Sequence, residues 1–172
     1  MNLPNALTVF RIALIPVYLY IFFTPFPYHV EIAFGVLILA GATDIIDGYL
    51  ARTYKMVTPF GTLMDPFADK LMMMAVIYSL FITDRISIWA TIFFFARDLA
   101  MIIGSFIFHL RGKKTVPANA FGKITTVLFY IAFPLVMFQY PYGETVLWSV
   151  ILFSFVTTAI YLVKFRVLNK II

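Results

Sequence analysis

Four aspartates dominate the chemistry this chain can offer. Asp44 and Asp47 stand three residues apart, and Asp65 and Asp69 stand four apart. On a helix either spacing places both carboxylates on one face. Pro59 and Gly61 lie between the two pairs. A short turn there would set two helices side by side and bring the four carboxylates together. Such a group is unfavourable in a low dielectric unless cations neutralise it. Oxygen-only ligands suit hard cations such as Mg²⁺, Mn²⁺ or Ca²⁺. Four aspartates can hold two ions in a clamp for phosphoryl transfer. Gly48 and Ala51 are small and let a bulky ligand approach the helix backbone. Arg52 follows and can pair with phosphate. Two other readings stay open. The acids can simply cap helices or pair with Arg52 and Lys70. Alternatively, the chain can be an ion or proton transporter, which also uses intramembrane carboxylates. That reading leaves Gly48, Ala51, Arg52 and Gly61 without a purpose.

The elements that must position these residues follow from composition. The chain has 172 residues, of which 63% are hydrophobic and 12% charged. Soluble domains average about 45–50% apolar and about 25% charged, and one this small could not bury the excess. The expectation is an all-α integral membrane protein with six spans and a single domain over residues 1–172. Crossing the hydrocarbon takes ~20 residues per helix. Apolar runs cover Thr8 to Phe23, Glu31 to Ala51, Leu63 to Ile82, Ile86 to Leu110, Phe121 to Phe138 and Val146 to Val163. Breaks fall at Thr24-Pro25-Phe26-Pro27, Thr58-Pro59-Phe60-Gly61, Thr83-Asp84, Arg111-Gly112 and Pro141-Tyr142-Gly143. The runs are long and do not alternate, which favours helices over barrel strands.

Basic residues set the expected orientation. Arg52 and Lys55 fall in the second loop. Arg111, Lys113, Lys114 and Lys123 fall around the fourth, and Lys164, Arg166 and Lys170 in the tail. The other loops carry only Arg85. Cations collect on the cytoplasmic side, so both termini and the acidic site are expected there. Tyr20, Tyr28, Trp89, Tyr140, Tyr142 and Trp148 fall toward the opposite interface, where amphipathic rings are favoured. The net charge of +5 points to anionic lipid or anionic substrates rather than nucleic acid. There are no cysteines, which excludes disulfides and thiolate chemistry. His29 and His109 are expected at opposite interfaces, too far apart to share a metal. A cleavable signal is not expected, because no basic region precedes the first apolar run and Arg11 sits inside it.

The stretch Asp44-x2-Asp47-Gly48-x2-Ala51-Arg52-x8-Gly61-x3-Asp65-x3-Asp69 resembles the signature of the CDP-alcohol phosphotransferases at every fixed position. The resemblance implies a six-helix membrane enzyme. It would transfer a phosphate-bearing group from a CDP-linked donor to an acceptor hydroxyl and release CMP. It further implies that Asp44, Asp47, Asp65 and Asp69 surround a pair of Mg²⁺ or Mn²⁺ ions, with Asp69 the base for the acceptor hydroxyl. Gly48, Ala51, Arg52 and Gly61 would line the cytidine diphosphate pocket. Homodimers are common in the family.

The opening Asn2-Leu3-Pro4-Asn5-Ala6-Leu7-Thr8 followed by Arg11, and Asp65-Pro66-Phe67-Ala68-Asp69-Lys70, are similar to two branches of that family. These are the phosphatidylglycerophosphate synthases and the CDP-diacylglycerol-type cardiolipin synthases. The donor implied is CDP-diacylglycerol, in a bacterial or archaeal cytoplasmic membrane. Asn5 and Thr8 are then candidate donor contacts, although Asn5 can equally cap the first helix. Arg97 and Lys123 are candidates for holding an acceptor phosphate. A structural ion pair with Asp98 is the alternative for Arg97. The pattern departs from glycerophosphate-using relatives in two places. Arg97-Asp98 stands where Arg-Glu is common, and Gly122-Lys123-Ile124-Thr125-Thr126 lacks a second lysine and a glutamine. Glycerol 3-phosphate is the favoured acceptor, because a small anion explains Arg97 and Lys123. Phosphatidylglycerol and inositol phosphate are the alternatives. The run Phe93-Phe94-Phe95 is read as packing.

Overall fold

The computed structural model describes residues 3–54, 58–110 and 120–170. Among these the chain is all-helical: α1 (Leu3–Phe23), α2 (His29–Thr53), α3 (Pro59–Ile82), α4 (Ile88–Leu110), α5 (Ala120–Met137) and α6 (Gly143–Lys170). Asn2, Lys55, Arg111, Gly112, Lys113 and Lys114 lie outside the described residues, as do the side chains of Arg52, His109, Lys123, Lys164, Arg166 and Lys170.

Each expected apolar run has its helix. Among the described residues three stretches are long and apolar enough to cross a membrane: Pro4–Phe23, His29–Ala51 and Gly143–Tyr161. Only 28%, 22% and 33% of their most apolar stretches are buried. So much uncovered apolar surface belongs in lipid rather than water, and the chain is a helical membrane protein.

Two compact units divide the chain, Met1–Ile82 and Thr83–Ile172. In the first, α1 packs on both α2 and α3, which also touch each other. Tyr18, Phe22, Leu37, Met72 and Val76 form its core. Inside that core the Tyr18 hydroxyl donates to Ser79 Oγ at 2.8 Å, while Ser79 donates to the Val76 carbonyl. This buried hydroxyl pair between α1 and α3 is thus satisfied on both sides. In the second unit α6 packs on α4 and α5, around Phe94, Phe129, Phe133, Leu147 and Ile151. Phe94 meets Phe129 edge-on at 5.2 Å, and Phe93 meets Trp148 and Phe155. The phenylalanine run is therefore packing material, as its sequence indicated.

Helix starts differ from expectation for a local reason. Thr58-Pro59-Phe60-Gly61, read as a break, is the beginning of α3. Thr58 Oγ1 accepts the Gly61 N–H at 3.0 Å. That is an N-cap serving the third helical residue, with proline in the first position, where its missing N–H costs nothing. Ser87 Oγ caps α4 in the same way through the Ala90 N–H. The Ser87 N–H is taken by Glu144 at 2.9 Å, and Arg85 donates to the Met137 carbonyl. These bonds tie the start of α4 to the turn between α5 and α6.

That turn is a Schellman motif. The Gln139 N–H bonds the Val136 carbonyl and the Tyr140 N–H bonds the Leu135 carbonyl. Gln139 occupies the left-handed position, at φ 54°, where glycine is usual. Gln139→Gly should therefore raise stability by about 0.5–1 kcal/mol, read as a higher melting temperature in detergent. A melting temperature at or below that of the parent would show that the Gln139 side chain contributes more than its backbone strain costs.

Candidate active site

The acidic stretch is assembled in the first unit, and α1 supplies what the acids face. Arg11 reaches from α1 to α2. Its Nη1 lies 2.6 Å from Asp44 Oδ1, and its Nη2 donates to Asp47 Oδ2 in a still shorter contact. Arg11 is 1% exposed and Asp47 2%, while the Asp44 side chain is 42% exposed. The ion triad is thus sealed on the Asp47 side and open on the Asp44 side. One turn earlier on α1, Thr8 is also buried, and its hydroxyl lies 2.5 Å from Asp65 Oδ1 on α3. Residues 8 and 11 share a helix face, so one stripe of α1 meets acids from both neighbouring helices. Asp44 and Asp65 are both close enough to Asp47 for their charges to act on it.

A second set of bonds joins the beginnings of α1 and α3. Thr58 Oγ1 donates to Asn5 Oδ1 at 2.8 Å. Asn5 lies within α1, and its amide oxygen is engaged by α3 rather than by its own helix end. Gly61 sits directly beneath this group. A methyl there would stand 3.2 Å from Asn5 Oδ1, 3.3 Å from Thr58 Oγ1 and 3.6 Å from Asp65 Oδ2. Glycine leaves that polar cradle open, which gives a packing reason for the residue at this position.

Several expected site residues are thereby brought together: Asn5, Thr8, Asp44, Asp47, Gly61 and Asp65. Asp69 follows Asp65 by one turn of α3 and is partly exposed. Gly48 and Ala51 continue α2 beyond Asp47. The side chains of Arg52 and Lys123 lie outside the described residues. Arg97 belongs to the second unit. It is buried, with Nη1 donating to Asp98 Oδ1 at 2.5 Å and Nε to Thr158 Oγ1 at 3.3 Å. The ion pair weighed for Arg97 is present.

Arg11 is what sequence reasoning missed. It entered only as part of the opening pattern, not as a partner of the acids. The signal was available, because an arginine inside an apolar run needs an anion.

The donor set fits a hard divalent cation in kind: it is all carboxylate, and it already draws a buried positive charge between Asp44 and Asp47. Its present geometry is that of the ion pair. Among the described residues no three acidic or histidine side chains come together closely enough to hold a metal. Groups on α1 meet three of the four carboxylates expected at the ion site. Arg11 neutralises two of them, and Thr8 supplies a hydrogen bond to a third.

Residues 1–160 match the CDP-alcohol phosphatidyltransferase family. The chain belongs to that family. A protein of Bacillus subtilis (strain 168) named CDP-diacylglycerol–glycerol-3-phosphate 3-phosphatidyltransferase is 33% identical over 176 residues, covering 91% of each chain. A Pseudomonas fluorescens protein of the same name is 42% identical over 104 residues, covering 60% of this chain and 50% of its own. A Streptomyces coelicolor protein named cardiolipin synthase (CMP-forming) is 30% identical over 140 residues, covering 80% of this chain and 65% of its own. CDP-alcohol phosphatidyltransferases are generally dependent on a divalent metal, in keeping with the oxygen-only donor set.

Proposed function

We propose that the protein moves the phosphatidyl group of CDP-diacylglycerol to glycerol 3-phosphate and releases CMP. The observation that carries this reading is the Bacillus subtilis relative of that name, which aligns over 91% of both chains and so across both units. That extent also supports treating the chain as one catalytic domain. The acceptor hydroxyl oxygen attacks the phosphorus that carries the diacylglycerol. A new P–O bond forms there, the bond to CMP breaks, and the hydroxyl proton goes to Asp69.

Asp44, Asp47, Asp65 and Asp69 would hold Mg²⁺ or Mn²⁺, two ions in the full site. When bound, these would offset charge on the donor pyrophosphate and on the departing CMP. Gly48, Ala51 and Gly61 leave room for the cytidine diphosphate, and Arg52 pairs with its phosphates. Asn5 and Thr8 hold the beginning of α1 against Thr58 and Asp65 and so shape the donor side of the pocket. Rate is gained through positioning and electrostatic stabilisation rather than through a covalent enzyme intermediate. The site belongs at the cytoplasmic face of a bacterial or archaeal membrane, with six spans and both termini cytoplasmic. There a polar nucleotide head can bind while the donor's acyl chains stay in lipid. The working form is proposed to be a homodimer.

Cardiolipin synthesis, with phosphatidylglycerol as acceptor, is the second reading. Arg97-Asp98 and the single Lys123 favour it, as does the Streptomyces coelicolor relative. An acceptor panel decides: glycerol 3-phosphate, inositol phosphate, inositol, serine and phosphatidylglycerol, each with CDP-diacylglycerol, the lipid product being identified by mass. Phosphatidylglycerophosphate alone is the expected product. Cardiolipin in its place would move the chain to the other branch.

Arg97 and Lys123 are proposed to bind the acceptor phosphate. Arg97→Lys keeps the charge beside Asp98 but loses the planar fork. The KM for glycerol 3-phosphate should rise about tenfold, the worth of one good charged contact, with the donor KM unchanged. An unchanged acceptor KM would leave Arg97 as the partner of Asp98 and Thr158 alone.

A further inference from the structure

The Asp44–Arg11–Asp47 triad has features that a permanent structural ion pair does not need. A buried arginine that only stabilises a fold normally has all its N–H groups engaged. Arg11 does not: among the described residues its buried Nε has no hydrogen-bond partner, and its Nη1 meets Asp44 outside hydrogen-bond geometry. The approach of Nη1 to Asp44 is a contact of charges, not an aligned bond. The hold on Asp47 is buried, whereas the Asp44 side is open. Any cation arriving at these carboxylates enters on the side where the guanidinium is held least well.

We propose that Arg11 is an exchangeable internal cation. It neutralises Asp44 and Asp47 while no divalent ion is present, and it gives up its hold on them when one binds. This rests on the reading that these aspartates are the divalent-ion site. The physical argument is charge balance. Without a cation, Asp47 would be a buried anion beside two others, Asp44 and Asp65, and its desolvation would be uncompensated. Arg11 removes that penalty and keeps the empty site folded. A divalent ion drawn to the same oxygens meets a competitor already seated, and the two positive charges repel at short range. The ion's apparent affinity is therefore lower than four carboxylates alone would give. α1 thus sets the affinity of a site whose ligands lie on α2 and α3.

The test is Mn²⁺ binding to the full-length protein in detergent, followed by the loss of the free-ion electron paramagnetic resonance signal. No substrate is present. The parent should bind Mn²⁺, and Asp44→Asn should weaken that binding, which places the ion at the acids. Arg11→Gln should bind Mn²⁺ about tenfold more tightly than the parent, the gain expected when one charged competitor is removed. Arg11→Lys, whose point charge cannot fork between two carboxylates, should fall between the two. With chelator, Arg11→Gln should melt below the parent, and Mn²⁺ should restore more of its stability than it adds to the parent. If Arg11→Gln does not fold, Arg11→Lys carries the comparison. Equal or weaker Mn²⁺ affinity in the folded Arg11 variants, with the Asp44 dependence intact, would overturn the exchange and leave the metal site standing. Absence of Mn²⁺ binding in the parent and in every variant would overturn both.

Discussion

Asp69→Asn should reduce CMP release about 10²- to 10⁴-fold, the usual worth of a general base, while the protein still elutes as a folded species. Asparagine keeps the shape of the side chain but cannot accept the acceptor's proton. It also removes one negative charge from the proposed ion site. The two effects separate in the pH–rate profile. Loss of a base removes the rise in rate with pH that depends on that base, whereas a weakened ion site is compensated by more Mn²⁺. Asp69 lies one turn beyond Asp65 on α3 and is partly exposed, so it is open to a substrate in a way that Asp47 is not. Normal turnover in this variant would sink the assignment.

Asp47→Ala should act on the fold instead. Asp47 is 2% exposed and holds an arginine that is 1% exposed. Removing one partner of a buried pair costs about 3–5 kcal/mol, and here Arg11 loses its buried anion and keeps the half-exposed Asp44. Domains as a rule are stable by only about 5–15 kcal/mol, so the loss is a large fraction of the whole. In chelator-containing detergent the variant should melt far below the parent or fail to fold. Asp65→Asn is the contrast. It exchanges a charged acceptor for a neutral one opposite Thr8, a change of about 1 kcal/mol. It should stay folded while losing activity. Equal melting of the parent and Asp47→Ala would mean that the Arg11–Asp47 bond adds nothing to stability.

What the sequence revealed and what it concealed follow from the range of the interactions. Pro25 and Pro27, and Pro141 with Gly143, mark turns because their effect is local to the backbone. Thr58-Pro59 misled for the same reason in reverse: proline ends one helix but also starts another, and only the Thr58 cap distinguishes the two. The acidic pattern was legible because its spacing lies within two helices. That Arg11 needs an anion was legible too, but which acids meet it was not, since they are far along the chain and reach it only once α1 has packed on α2. Thr58 as the partner of Asn5 was hidden in the same way. Arg97 with Asp98 was legible as a pair because the two are adjacent, but Thr158, which comes from α6, was not.

Purified protein given CDP-diacylglycerol, glycerol 3-phosphate and Mg²⁺ or Mn²⁺ measures the central claim most directly. CMP and phosphatidylglycerophosphate should appear in equal amounts and stop when the ion is chelated. No CMP with any acceptor, together with cation flux through the same protein in liposomes, would contradict the account and favour a transporter built on the same aspartates.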